Sequence, residues 1–190
     1  ASPSDVRAWQ DGDSLKKVHW KLSMRKRELM VRTYEESARP DTLVLLDLSP
    51  VSATASRVAS LEDRLCEVAG EAAFAQLRAG YPVRMPLHSQ QPTELSAQFP
   101  AQFEPILSRL AFVQFDCPYP FEQILSLETR RMQRTGGVVL VTSRLSSQTA
   151  DFALRMRQQG LMVRVCLVSS ASGEPQELLA QLATQGVQAG

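Results

Sequence analysis

A short, almost wholly apolar run at residues 42–48, Thr-Leu-Val-Leu-Leu-Asp-Leu, ends in the polar turn Ser49-Pro50. A run of that length suits a strand buried on both faces. Such strands belong to parallel sheets, whose neighbours must be joined by crossovers. The chain supplies them. Over residues 57–79 the apolar side chains Val58, Leu61, Leu65, Val68, Ala72 and Ala75 trace one helical stripe, with Ser56 placed to cap it. Arg78 falls in its last turn and Gly80 stops it. Residues 138–142 and 161–168 read as further strands. Between them runs a helix capped by Ser147 and reaching Gln159, with Gly160 beyond its end. Pro175 sits in the first turn of a final helix that ends before Gly186. This alternation predicts an α/β domain, a mostly parallel sheet with helices on both faces.

The remaining segments are less regular. Residues 81–87 form a strand that Pro82 and Pro86 push toward a sheet edge, and residues 88–99 a polar loop. Helices are expected over residues 101–111 and 121–134, the second closed by Gly136-Gly137. Near the amino terminus Asp13 can cap a short helix with Leu15, Val18, His19 and Leu22 on one face. Residues 28–35 read as a strand, broken by Arg39-Pro40-Asp41. The organisation is an extension over residues 1–40 and an α/β domain over residues 41–190.

Charge and composition exclude several classes. Lys plus Arg number 21 and Asp plus Glu 20, so no net field selects nucleic acid or membrane. The longest apolar runs are far too short to cross a bilayer, and no secretory signal pattern is visible. Cys66, Cys117 and Cys166 are widely separated, which argues against a disulfide framework or a zinc site and for a reducing, cytoplasmic compartment. Cys66 and Cys166 read as small core residues.

Parallel sheets bind ligands outside the carboxyl ends of their strands. The candidates there are Asp47 and Ser49, His88 and Ser89, Ser143, and Ser169 and Ser170. A phosphate cradle is excluded, because residues 47–56 contain neither glycine nor lysine. Ser at position 49 removes the second carboxylate that an aspartyl phosphotransferase would use. No Gly-x-Ser-x-Gly turn exists. His88 reads as a solvated loop residue, and His19, beside Trp20, as packed against the sheet. Two readings remain for the turn. Asp47 and Ser49 could begin a magnesium site of the Asp-x-Ser-x-Ser kind, with Val51 in place of the second serine and Ser143 where a later aspartate is expected. Alternatively, Asp47 accepts hydrogen bonds from the turn and nearby hydroxyls cap the following helix. The cations Lys16, Lys17, Lys21, Arg25, Lys26, Arg27 and Arg32 stand against Glu28 alone. With Trp20 as the lone aromatic among them, they suit a solvated face or a protein-docking surface better than a single-strand binder.

The run Val6-Arg7-Ala8-Trp9, then Gly12-Asp13, Lys16, Val18-His19-Trp20, Ser23 and Arg25 resembles the signature of a bacterial family called domain of unknown function 58. Residues 28–32 resemble its following strand and residues 45–49 its aspartate-bearing strand. The resemblance implies a von Willebrand factor A-like, Rossmann-like fold and a partnership with a MoxR-type AAA+ ATPase. It also implies a parent protein anchored by transmembrane helices, with this region on the cytoplasmic side and the present chain an excised piece. It carries no catalytic residue, so a non-enzymatic interaction or scaffold role is expected, without a cofactor. Lys16, Lys17, His19, Trp20 and Arg25 are the candidate partner-binding residues, and a magnesium-dependent binding domain at Asp47 and Ser49 is the alternative.

Overall fold

The computed structural model describes residues 5–33, 39–52, 54–168 and 175–190. The chain divides into two units, Ala1–Arg39 and Pro40–Gly190.

In the first unit, β1 (Asp5–Ala8) pairs antiparallel with β2 (Met30–Thr33). A 3-10 turn at Leu15–Lys17 and the helix α1 (Trp20–Lys26) lie between them. The expected helix from Asp13 does not form, because its carboxylate is committed elsewhere. Both of its oxygens lie 2.7 Å from the Arg7 guanidinium, and one accepts from the Gln10 amide. Val18 is extended and bridges to Val31, so the helix starts after it. His19 takes the capping role, its Nδ1 accepting from the Leu22 amide. Ser23 is buried, and its hydroxyl accepts from the Met30 amide at 2.8 Å, tying α1 to β2. The strand expected over residues 28–35 is observed over Met30–Thr33, and its end lies outside the described residues.

The second unit is an α/β fold around a six-stranded sheet. Its strands are β3 (Asp41–Leu46), β4 (Val83–Leu87), β5 (Thr93–Ala97), β6 (Thr135–Thr142), β7 (Met162–Leu167) and β8 (Gln188–Ala189). The order is β5-β4-β3-β6-β7-β8, parallel except for the β4–β5 pair. The central β3 and β6 are apolar and buried almost throughout. Helix α2 (Ala55–Arg78) connects β3 to β4, and α5 (Ser147–Gln158) connects β6 to β7. The two crossovers leave the centre in opposite directions, so right-handed connections place α2 and α5 on opposite faces. Helix α3 (Glu104–Leu110) packs beside α2. Helices α4 (Phe121–Arg131) and α6 (Pro175–Thr184) pack beside α5.

Several expectations need correction. Residues 88–99 are not all loop, since β5 forms there by pairing with β4. Consequently β4 is internal rather than an edge. Its ladder to β3 covers only Thr42 with Val83 and Leu43 with Arg84, so Pro86 lies beyond it. Helix α4 ends at Arg131, and Gly136-Gly137 belong to β6 instead of closing the helix. The caps shift by one or two residues, to Thr54 for α2 and Ser146 for α5, where the Ser146 hydroxyl accepts from the Thr149 amide. On α2 the buried stripe runs through Leu65, Ala69, Ala72, Ala73 and Leu77, leaving Ala75 exposed.

Candidate functional site

Helices leave β3 and β6 in opposite directions, so their carboxyl ends form the topological switch point, where open α/β sheets hold ligands. Asp47 follows β3 directly, and its amide donates to the Val141 carbonyl at 2.8 Å. Its side chain is buried. Oδ1 accepts from the Ser49 amide at 3.0 Å, and Oδ2 accepts from the Thr142 hydroxyl at 2.7 Å. The single hydroxyl proton of Thr142 goes to the carboxylate, the stronger acceptor, while its oxygen accepts from the Arg144 amide at 3.1 Å. The crevice is closed further by the Cys117 amide, which donates to the Leu48 carbonyl at 3.0 Å. Burial above all, with the Asp47 and Asp116 carboxylates, pushes the Cys117 thiol up, and its Sγ–H donates to the Tyr119 carbonyl at 3.3 Å. The thiol is therefore protonated and a poor nucleophile.

The structure thus brings Asp47 and Ser49 together through the Ser49 amide, and adds Thr142. Ser143 and Val51 are half-buried nearby in the chain. Ser169 and Ser170 lie outside the described residues. Among the described residues no three His, Cys, Asp or Glu side chains are grouped to hold a metal ion.

His88 is not a solvated loop residue. Its Nε2 lies 2.9 Å from Oε1 of Glu128 on α4, a fully buried carboxylate. Arg131 approaches the same oxygen at 3.0 Å, and Arg84 lies 2.8 Å from Oε2. Glu94 on β5 bridges both arginines, at 3.0 Å from Arg84 and 3.4 Å from Arg131. Burial alone would raise the Glu128 carboxyl. The hydrogen bonds from His88 and Arg84 and the charges of Arg84 and Arg131 outweigh it and hold the group down at about 2. An ionised carboxylate only accepts, so the facing His88 nitrogen carries the proton. The cluster ties β4, β5 and α4 together. Its sequence signal is a glutamate on a core-facing stripe, following Phe121, Ile124 and Leu125 on α4.

In the first unit Lys16, Trp20 and Arg25 are exposed, whereas His19 is half-buried and serves as the helix cap. The side chain of Lys17 lies outside the described residues. The signature residues Arg7, Asp13, His19 and Ser23 therefore build this unit, and Trp20 and Arg25 decorate it.

No curated protein matches the chain. The family described as "Protein of unknown function DUF58" matches residues 5–177. That match takes in both the clamp-and-cap signature of the first unit and the switch point of the second, and the chain belongs to the DUF58 family.

Proposed function

We propose that this chain is a non-enzymatic protein-interaction or scaffold module with a von Willebrand factor A-like sheet. It works at the cytoplasmic face of a bacterial membrane with a MoxR-type AAA+ ATPase. The observation that carries the interaction reading is the surface of the first unit. Trp20 is 58% exposed and Met24 78% exposed, one turn apart on α1, among the exposed cations Lys16, Lys21 and Arg25. Large apolar side chains left in water beside exposed charges are the composition of a docking surface. The turn at Asp47 supports a non-catalytic reading, because its one buried carboxylate spends both oxygens on the protein's own donors.

A pull-down with the ATPase tests this, using wild type and a Lys16→Glu, Lys17→Glu, Arg25→Glu variant. Capture of the ATPase by wild type and loss with the variant are expected. Equal capture by both would remove the basic surface from the reading, and capture by neither would remove the ATPase.

A further inference from the structure

We infer that the groove between α2 and α3 is a docking site for a basic amphipathic helix of a partner protein. The inference extends the interaction reading to a second surface, remote in sequence from the basic segment. The groove measures about 500 Å³. Its floor is made by Gly70, Leu110 and Phe103, and its wall by Phe74 and Leu107. The rings of Phe74 and Phe103 pack tilted with centroids 5.0 Å apart, which fixes the wall's shape. Leu107, 55% exposed, and Phe74, 37% exposed, line the same groove and together present an apolar patch to water. Cys66, Gly70 and Phe74 follow one another at four-residue intervals along α2, and the two small residues leave room for side chains from above. A Cβ on Gly70 would meet Leu110 at 3.5 Å and Phe103 at 3.8 Å, ordinary contact distances that place both side chains on the Gly70 face of α2.

Charge decides the occupant. Asp63, Glu67 and Glu71 repeat on α2 at four-residue intervals and, with Glu62, line the groove. No lysine or arginine lines it among the described residues. Glu67 meets Arg64 at 2.6 Å, but that pair is exposed and worth little, so a partner cation can take Arg64's place. Burial first, then Asp63 and Glu62, push the Cys66 thiol up to about 11, so the negative field reaches the groove itself. Carboxylates spaced by one helical turn match cations spaced by one helical turn on a second helix lying along α2. The groove between the two helices receives that helix's apolar face, the helix-in-groove mode. The same carboxylates repel nucleic acid and anionic lipid.

The test uses the whole chain and a fluorescein-labelled synthetic helix of about 20 residues. The probe carries leucine and phenylalanine on one face and lysines flanking it, and a twin carries glutamate for every lysine. Anisotropy should show the lysine probe binding at least about tenfold more tightly than its twin. Asp63→Lys with Glu67→Lys and Glu71→Lys should weaken it about tenfold, and Leu107→Asp similarly. All changed positions are at the surface, so melting temperatures report whether each variant stays folded. In wild type, saturating lysine probe should slow alkylation of Cys66, a readout needing no variant. Equal binding of the twin, unchanged binding by folded variants, or unprotected Cys66 would overturn the inference. So would a dimer that Leu107→Asp dissolves, which would assign the groove to a second copy, or capture by anionic vesicles in place of the probe. The ATPase pull-down reads the other surface, so the two proposals fail separately.

Discussion

His88 and the fully buried Glu128 form a hydrogen-bonded contact of 2.9 Å across the β4–α4 seam, forty residues apart in the chain. The Glu128 carboxyl is held at about 2 in the fold, against an ordinary value of 4.5. A group depressed by folding stabilises the fold above its unfolded value and loses that contribution as pH falls through its folded value. The stabilisation, about 3 kcal/mol, is therefore complete above pH 4.5 and is lost between there and about pH 2. Urea denaturation across this range should show the slope in wild type and its flattening in Glu128→Gln. At neutral pH that variant should lose roughly 3 kcal/mol, since the half-buried Arg84 is left with Glu94 alone as its anionic partner.

Thr142 and Asp47 join the ends of β3 and β6, and the bond is buried. Thr142→Val strips a donor from Asp47 and an acceptor from the Arg144 amide, and should cost about 1–3 kcal/mol. Ser49 contributes its amide rather than its hydroxyl to Asp47, so Ser49→Ala should fall within about 0.5 kcal/mol of wild type. Chemical denaturation separates the two. The same geometry predicts that millimolar magnesium leaves the melting temperature unchanged, and a rise abolished by Asp47→Asn would instead establish a metal site.

The Cys66 thiol, raised to about 11 from 9.0, should be slow to alkylate. At mildly alkaline pH its thiolate fraction is about a hundredfold below that of an unperturbed cysteine. Iodoacetamide kinetics followed by intact mass should show this lag. Asp63→Asn with Glu62→Gln should shorten it without abolishing it, because burial is the larger cause.

Gly136 and Gly137 are neighbours in β6 with different room. A Cβ on Gly136 would sit 2.7 Å from Cβ and 2.9 Å from Cγ of Pro40, whose stiff ring must be displaced. On Gly137 the nearest atoms, the Met162 carbonyl and the Thr42 hydroxyl, lie at an ordinary 3.5 Å. Gly136→Ala should destabilise by about 1–2 kcal/mol, and Gly137→Ala should not, as thermal melts of the pair would show.

The α/β frame was legible because its central strands are continuous apolar runs that alternate with long amphipathic helices. The strand β5 was not, since Thr93–Ala97 alternates weakly and becomes a strand only by pairing with β4. β8 is two residues long, below any periodic signal. At the candidate site, Asp47 stood out by ending an apolar run, but its partner Thr142 is 95 positions away and only the sheet register unites them. Glu128 was readable in principle as a charge on an apolar stripe with Arg131 one turn on, while its partners Arg84 and His88 come from β4 and the residue after it. Arg7, Asp13, His19 and Ser23 were visible as a motif, yet their work as a clamp, a cap and a tether appears only once β1 and β2 are paired.

The two outer strands of the sheet bear on how this domain behaves at high concentration. Among the described residues one side ends in the two-residue β8 and the other in the short antiparallel β5, whose Glu94 is held by arginines. Neither margin offers a long, flat, uncharged template for another strand. Amyloid-like stacking and strand exchange are thereby discouraged.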